Sequence, residues 1–194
     1  MTFLSPRNFF GLVLFVGLSI AAFNHSYAQV DGVDQEPSAE LGNTSVEAAA
    51  RLRDAVLRID PSVQFTENSA RFSVSGVPVI LAYDLNADRM RIMAPAAEVP
   101  SLTEEDMMRL MQANFESALD ARYAIASDIV WSTFIHPLSP LDNEEFASGL
   151  GQVVNLVLTY GETYNSGAIV YGGGDNSGAG RELIDELEEK SRDI

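Results

Sequence analysis

The spacing of apolar residues changes once between Val46 and Ala94, and that change constrains the fold more than any other feature of the chain. Val46, Ala49, Leu52, Val56 and Ile59 recur at steps of three and four, which places them on one face of a helix. The spacing predicts a helix from Ser45 to about Ile59. Thr44 and Glu47 have the spacing of a capping box, and Asp60-Pro61 stops the element. From Val63 the step becomes two. Val63, Phe65, Phe72 and Val74 alternate with Gln64, Thr66, Arg71 and Ser73 around a break at Asn68-Ser69. Val77 to Tyr83 is a more continuous apolar run, and Met90, Ile92 and Ala94 alternate with Arg89, Arg91 and Met93. One helix followed by three antiparallel strands on short turns is the predicted opening of the domain.

The helical period returns after Pro100. Ser101 or Thr103 caps a second helix whose first turn holds Glu104, Glu105 and Asp106, acids suited to a helix N-terminus. Met107, Met108, Leu110, Met111, Phe115, Ala118 and Leu119 give it a broad apolar face before it ends near Asp120. Tyr123–Ala126 and Ile129–Ile135 read as two strands about a turn at Ser127-Asp128. Pro137 ends the second, because it cannot donate to a ladder. Asp142 and Glu145 form a second cap pair. Phe146, Leu150, Val153, Val157 and Tyr160 then define a third helix from about Asn143 to Tyr160. A Gly-rich spacer and a short acidic helix from Arg181 to Lys190 close the chain.

The expected architecture is therefore α+β: helix-β-β-β-helix-β-β-helix, an antiparallel sheet packed against helices. Residues 44–164 form the domain, and 165–194 form a Gly-rich tail with a short acidic helix. Residues 29–43 are a flexible acidic lead-in. Residues 1–28 read as a cleaved signal peptide. Arg7 is followed by the apolar run Phe9–Phe23, and Ser26-Tyr27-Ala28 is a small-residue cleavage site. That run is shorter than the ~20 residues of a spanning helix, and no later stretch is long enough, so no membrane span is expected after cleavage. The expected compartment is the periplasm or the exterior.

Composition excludes several chemistries. The chain has no Cys, hence no disulfides, thiolate metal sites or thiol redox chemistry. It has 28 acidic against 12 basic residues, net −16. A surface of that charge repels phosphate backbones and anionic lipid, so nucleic acid is not an expected partner. Two readings of the charge stay open: a self-repelling soluble exported protein, or a surface for basic partners.

The predicted order resembles the small acidic type III secretion chaperones, the Tir-chaperone family, over about Ser45 to Tyr160. The hairpin GVPVILAYDLNADRMRIMAP, the helix end Leu110-Met111-Gln112-Ala113-Asn114, the short strand pair and the bridge HPLSPLD carry the resemblance. Leu110, Asn114, Pro137, Leu138 and Asp142 stand at the family's characteristic places. YbjN-like proteins share the same outline, and they imply an envelope protein without a client. The chaperone resemblance implies a homodimer without catalysis or cofactor. Each subunit would offer apolar surface to an extended, partly unfolded segment of a protein or peptide client. It places the dimer seam at Met108, Met111, Phe115, Tyr123 and Ile125. The client surface falls on the first helix and the sheet, at Leu52, Val56, Phe65 and Phe72. Members of that family work in the cytoplasm without a signal peptide. The opening segment therefore departs from the pattern and points to a client outside the inner membrane.

His136 is the one histidine outside the opening segment. Ser132, Thr133 and Ser139 are near it in sequence, which leaves open a hydrolase using His136 as base. No G-x-S-x-G elbow accompanies it, and a structural residue at a strand end is the alternative. Asp84, Asn86 and Asp88 have the spacing that opens a calcium loop. Arg89 and Pro95 stand where such a loop needs Gly and Glu, so a hairpin turn is expected. The run GGGDNSGAG lacks the Lys-Ser/Thr of a phosphate loop and reads as a spacer.

Overall fold

The computed structural model describes residues 38–116, 119–161 and 178–192. The signal-peptide expectation and most of the Gly-rich spacer lie outside these residues. Helix α1 (Ser38–Ile59) leads into strands β1 (Gln64–Phe65), β2 (Ser69–Val74), β3 (Val77–Asp84) and β4 (Arg89–Glu98). A short 3-10 turn (Val99–Ser101) and helix α2 (Glu104–Glu116) follow. Then come β5 (Arg122–Ala126), β6 (Ile129–Pro137), α3 (Asn143–Leu158) and α4 (Gly178–Ser191). The six strands form one antiparallel sheet in the order β1-β2-β3-β4-β6-β5. The α+β order expected from periodicity is the order observed. The break at Asn68-Ser69 separates the two-residue β1 from β2, which makes four strands where three were expected.

Turn chemistry sets the register. Two-residue loops join β2 to β3 and β5 to β6. Their residues all have positive φ: Ser75 (51°) and Gly76 (79°), Ser127 (51°) and Asp128 (60°). That is the mirror-image turn whose twist matches paired strands. With Val74 opposite Val77 and Ala126 opposite Ile129, every second residue is directed to one face. Phe72, Val79, Leu81, Met90, Ile92, Val130 and Phe134 are buried there beneath α1 and α3. Phe146 and Leu150 of α3 fill the centre, and full burial of a side chain of that size contributes about 1.5–3 kcal/mol.

Two boundaries differ from expectation. Helix α1 begins at Ser38, so the end of the supposed lead-in is helical. Thr44 then lies inside the helix. Its hydroxyl donates to Ser139 Oγ at 3.2 Å rather than capping an N-terminus. The last helix is not an appendage. It packs on α3 and α1, with Ile184 and Leu187 buried. Arg58 of α1 holds its C-terminal end by donating to the carbonyls of Lys190 and Ser191. The expected caps divide: Thr103, not Ser101, exchanges hydrogen bonds with Asp106 at the start of α2, and Asp142 and Glu145 form a complete capping box on α3.

Candidate functional site

Helix α2 lies beyond the open edge of β5. It turns Leu110 and Ala113 inward and Met107, Met108, Met111 and Phe115 outward. The outward stripe is strongly exposed: Met108 at 59%, Met111 at 67% and Phe115 at 77%. Ile125 of β5, at 54%, continues it onto the sheet edge. Helical spacing alone favours core for such residues. Here the inward positions are already taken, so the stripe has no partner within the described residues.

The edge beside it is half closed. The tight turn makes Ala126 and Ile129 a hydrogen-bonded pair. Alternation then directs the N–H and C=O of Tyr123 and of Ile125 away from β6. Asn114 of α2 answers Tyr123 as a neighbouring strand would. Its Nδ2 donates to the Tyr123 carbonyl at 3.1 Å, and its Oδ1 accepts from the Tyr123 N–H at 2.7 Å. Ile125 keeps its edge groups beside the apolar stripe.

Four of the five expected seam residues, Met108, Met111, Phe115 and Ile125, come together on this exposed face. Tyr123 is the correction. Its side chain points to the core, where its hydroxyl donates to the Leu156 carbonyl at 2.6 Å and its ring meets Tyr160 edge-on. Tyr123 and Ile125 alternate onto the same face of β5, but α3 covers only Tyr123; Ile125, two residues nearer the turn, is left exposed. The expected client surface needs a larger correction. Leu52, Val56 and Phe72 are core residues, shut between α1 and the sheet. Phe65 is half-buried with the Arg53 guanidinium 4.1 Å from its ring centroid.

His136 stacks on Phe134 with ring centroids 5.8 Å apart and planes 11° apart, and its Nδ1 lies 2.8 Å from the Pro137 carbonyl oxygen. The nearby hydroxyls are engaged elsewhere or turned away. Ser132 Oγ is buried without a partner, and Ser139 Oγ donates to Asp88 at 2.6 Å. His136 lines an open cleft of about 780 Å³ with Gln152 and the carboxylates of Asp142, Glu145 and Glu188. Gln152 is committed to structure, since its Oε1 accepts from the backbone N–H groups of Asp120 and Ala121.

The Asp84–Asp88 turn is a clamp. Asp84 accepts from the N–H groups of Asn86 and Ala87, which closes the hairpin. Asp88 Oδ1 accepts from Ser45 Oγ at 2.9 Å, Ser139 N at 2.8 Å and Ser139 Oγ at 2.6 Å. It thereby ties α1 to the bridge between β6 and α3. Burial pushes the Asp88 carboxyl up, but the hydrogen bonds from Ser139 and Ser45 together outweigh it and hold the group below the usual carboxylate range. Sequence spacing marked the turn but gave no sign of its partners, 43 and 51 residues away.

No protein-family model matches the chain, and no curated protein matches it. Among solved structures, it is similar to a chain of the ExsC–ExsE complex, with 16% identity and a TM-score of 0.44 over 69% of this chain and 100% of that one. It is also similar to a chain of the Yersinia pestis type III secretion chaperone SycH in complex with a stable fragment of YscM2. There the identity is 16% and the TM-score 0.43, over 61% of this chain and 98% of that one.

Proposed function

We propose that the protein is a non-enzymatic binding module that pairs with a second copy through α2 and the β5 edge and holds a segment of another protein. The observation that carries this reading is the exposed stripe Met108–Met111–Phe115 continued by Ile125. Monomeric proteins rarely expose a contiguous apolar patch of this kind without a use for it. A two-fold axis near Met111 would set Met108 of each copy against Phe115 of the other, so the patch is complementary to itself. Covering the exposed three quarters of one Phe115 side chain contributes about 1–2 kcal/mol. Flexible Met side chains suit an interface that must adapt. The three-part pattern of residues 1–28 supports export of the module.

Light scattering on the eluting protein tests the pairing. The wild type runs as a dimer at micromolar concentration, and Phe115→Asp runs as a monomer with an unchanged far-UV circular dichroism spectrum. Because each copy carries a net charge of −16, the dimer tightens as salt rises. A strict monomer at every salt concentration sinks the pairing.

A further inference from the structure

The sheet face turned away from α1 and α3 reverses the charge of the molecule. Alternation places Arg71, Arg89, Arg91 and Arg122 on it, four of the chain's 12 basic residues. Its strand positions include only two acids, Asp84 and Glu98, at opposite ends of the sheet. Asp84 is already occupied by its own turn. Between the arginines stand Ile80, Met93, Trp131 and Ile135. Registers align Arg71, Ile80, Met93, Thr133 and Arg122 in one row across five strands, with Arg91 and Ile135 in the next. Ile135 and Arg91 are exposed, and Ile80, Met93 and Trp131 are half-buried.

Arg122 Nη1 donates to the carbonyls of Leu119 and Ala121, which leaves Arg71 and Arg91 as the principal charges of the face. Arg71, Arg91 and Arg122 take part in no ion pair among the described residues. Of the three buried polar side-chain atoms without a hydrogen-bond partner there, two lie in this row, Arg71 Nε and Thr133 Oγ1. The row from Arg71 to Arg122 crosses four strand spacings, about 19 Å. That is the length of a helix of about 13 residues. The arrangement is an apolar centre with guanidinium groups at its margins.

The geometry points to this face as the seat of the client, and to an acidic amphipathic client segment whose Asp and Glu side chains flank Leu, Ile or Phe. This deepens the reading of the protein as a binding module and rests on it. Apolar contact supplies the attraction, and the arginines select the sign of charge and answer carboxylates with paired donors. The otherwise acidic surface repels the same segment everywhere else, which fixes where it lands. Anionic lipid would meet that same repulsion over a far larger area, so a peptide is the better fit.

Trp131 is the chain's only tryptophan and lies on this face, so its emission reports occupancy directly. The full chain is titrated with a synthetic peptide of Leu and Glu at helical spacing, with a Leu/Lys counterpart, and with phosphatidylglycerol vesicles. The Leu/Glu peptide shifts Trp131 emission, more weakly at high salt, and the Leu/Lys peptide leaves it unchanged. Arg71→Glu with Arg91→Glu weakens the response at least about tenfold. Arg91→Gln, at an exposed position, weakens it in the same direction should the double variant fail to fold. No response to the Leu/Glu peptide, an equal response to the Leu/Lys peptide, or an unchanged response in Arg91→Gln overturns the proposal. A Trp131 shift with vesicles alone overturns it in favour of a membrane surface. A dimer that ignores the peptide sinks this inference only, whereas a monomer whose Trp131 still responds sinks the pairing only.

Discussion

Asp88→Asn isolates the charge of the clamp that joins α1 to the HPLSPLD bridge. Asp88 has φ 49°, a left-handed conformation that Asn tolerates as well as Asp, so the backbone is not perturbed. The carboxamide can still accept, but three charge-assisted hydrogen bonds become neutral ones. Bonds to a charged group contribute about 1.5–3 kcal/mol and neutral ones about 0.5–1.5, a difference of about 1 kcal/mol per bond; solvent screening at this half-buried group reduces the sum over three bonds to about 2 kcal/mol. For a chain of this size that lowers the melting temperature by roughly 4–8 °C. The folded carboxyl titrates below its unfolded value, so its stabilisation is fully present above the unfolded pKa. It is lost as pH falls through the folded pKa, where the wild-type carboxyl also becomes neutral. Urea unfolding followed by Trp131 emission should therefore show a gap between the two proteins at pH 7 that closes below a pH of about 3.9. Equal stability at pH 7, or a gap that persists in acid, would refute the clamp.

Asn114→Ala removes the group that answers both backbone positions of Tyr123, so stability should fall by about 1–3 kcal/mol in denaturant titration and the Tyr123 amide should exchange faster. Gly151→Ala puts a Cβ 2.5 Å from Ile184 Cγ1 and 3.3 Å from its Cα, so α4 must shift. The cost should be about 1–3 kcal/mol, with hydrogen exchange rising across α4 before the rest of the chain. Leu187→Ala opens a cavity under the same helix and should cost about 2–5 kcal/mol, a loss that a dispensable tail would not produce.

Local chemistry made much of the fold legible. The change of apolar period at Val63 placed the first helix before the strands, because side chains repeat every 3.6 residues on a helix and every two on a strand. Short loops of Ser-Gly and Ser-Asp marked two hairpins, and the Asp142–Glu145 pair marked the start of α3. Each of these signals lies within a few residues of its effect. The polar residues buried in α3 could have been suspected, since Gln152 and Asn155 interrupt an apolar helix. Their partners, Asp120, Ala121 and Gly180, could not be read from spacing.

Burial was the weaker inference. Leu52, Val56 and Phe72 looked like surface for a client and became core, while Met108, Met111 and Phe115 remained outside. An apolar stripe shows that a helix has a wet side and a dry side, but not how much of a wide stripe the domain will cover. On α2 the cover stops at Leu110 and Ala113, because the helix lies against one strand edge and not over the sheet.

By itself the amino-acid sequence determined the succession of elements, the acidic balance and the exclusion of cysteine chemistry, since these depend on composition and on neighbours in the chain. Only the tertiary structure decided which apolar residues meet water, that α4 belongs to the domain, and that arginines on three different strands share one face. Those outcomes depend on strand order and register, which bring together residues far apart in the chain.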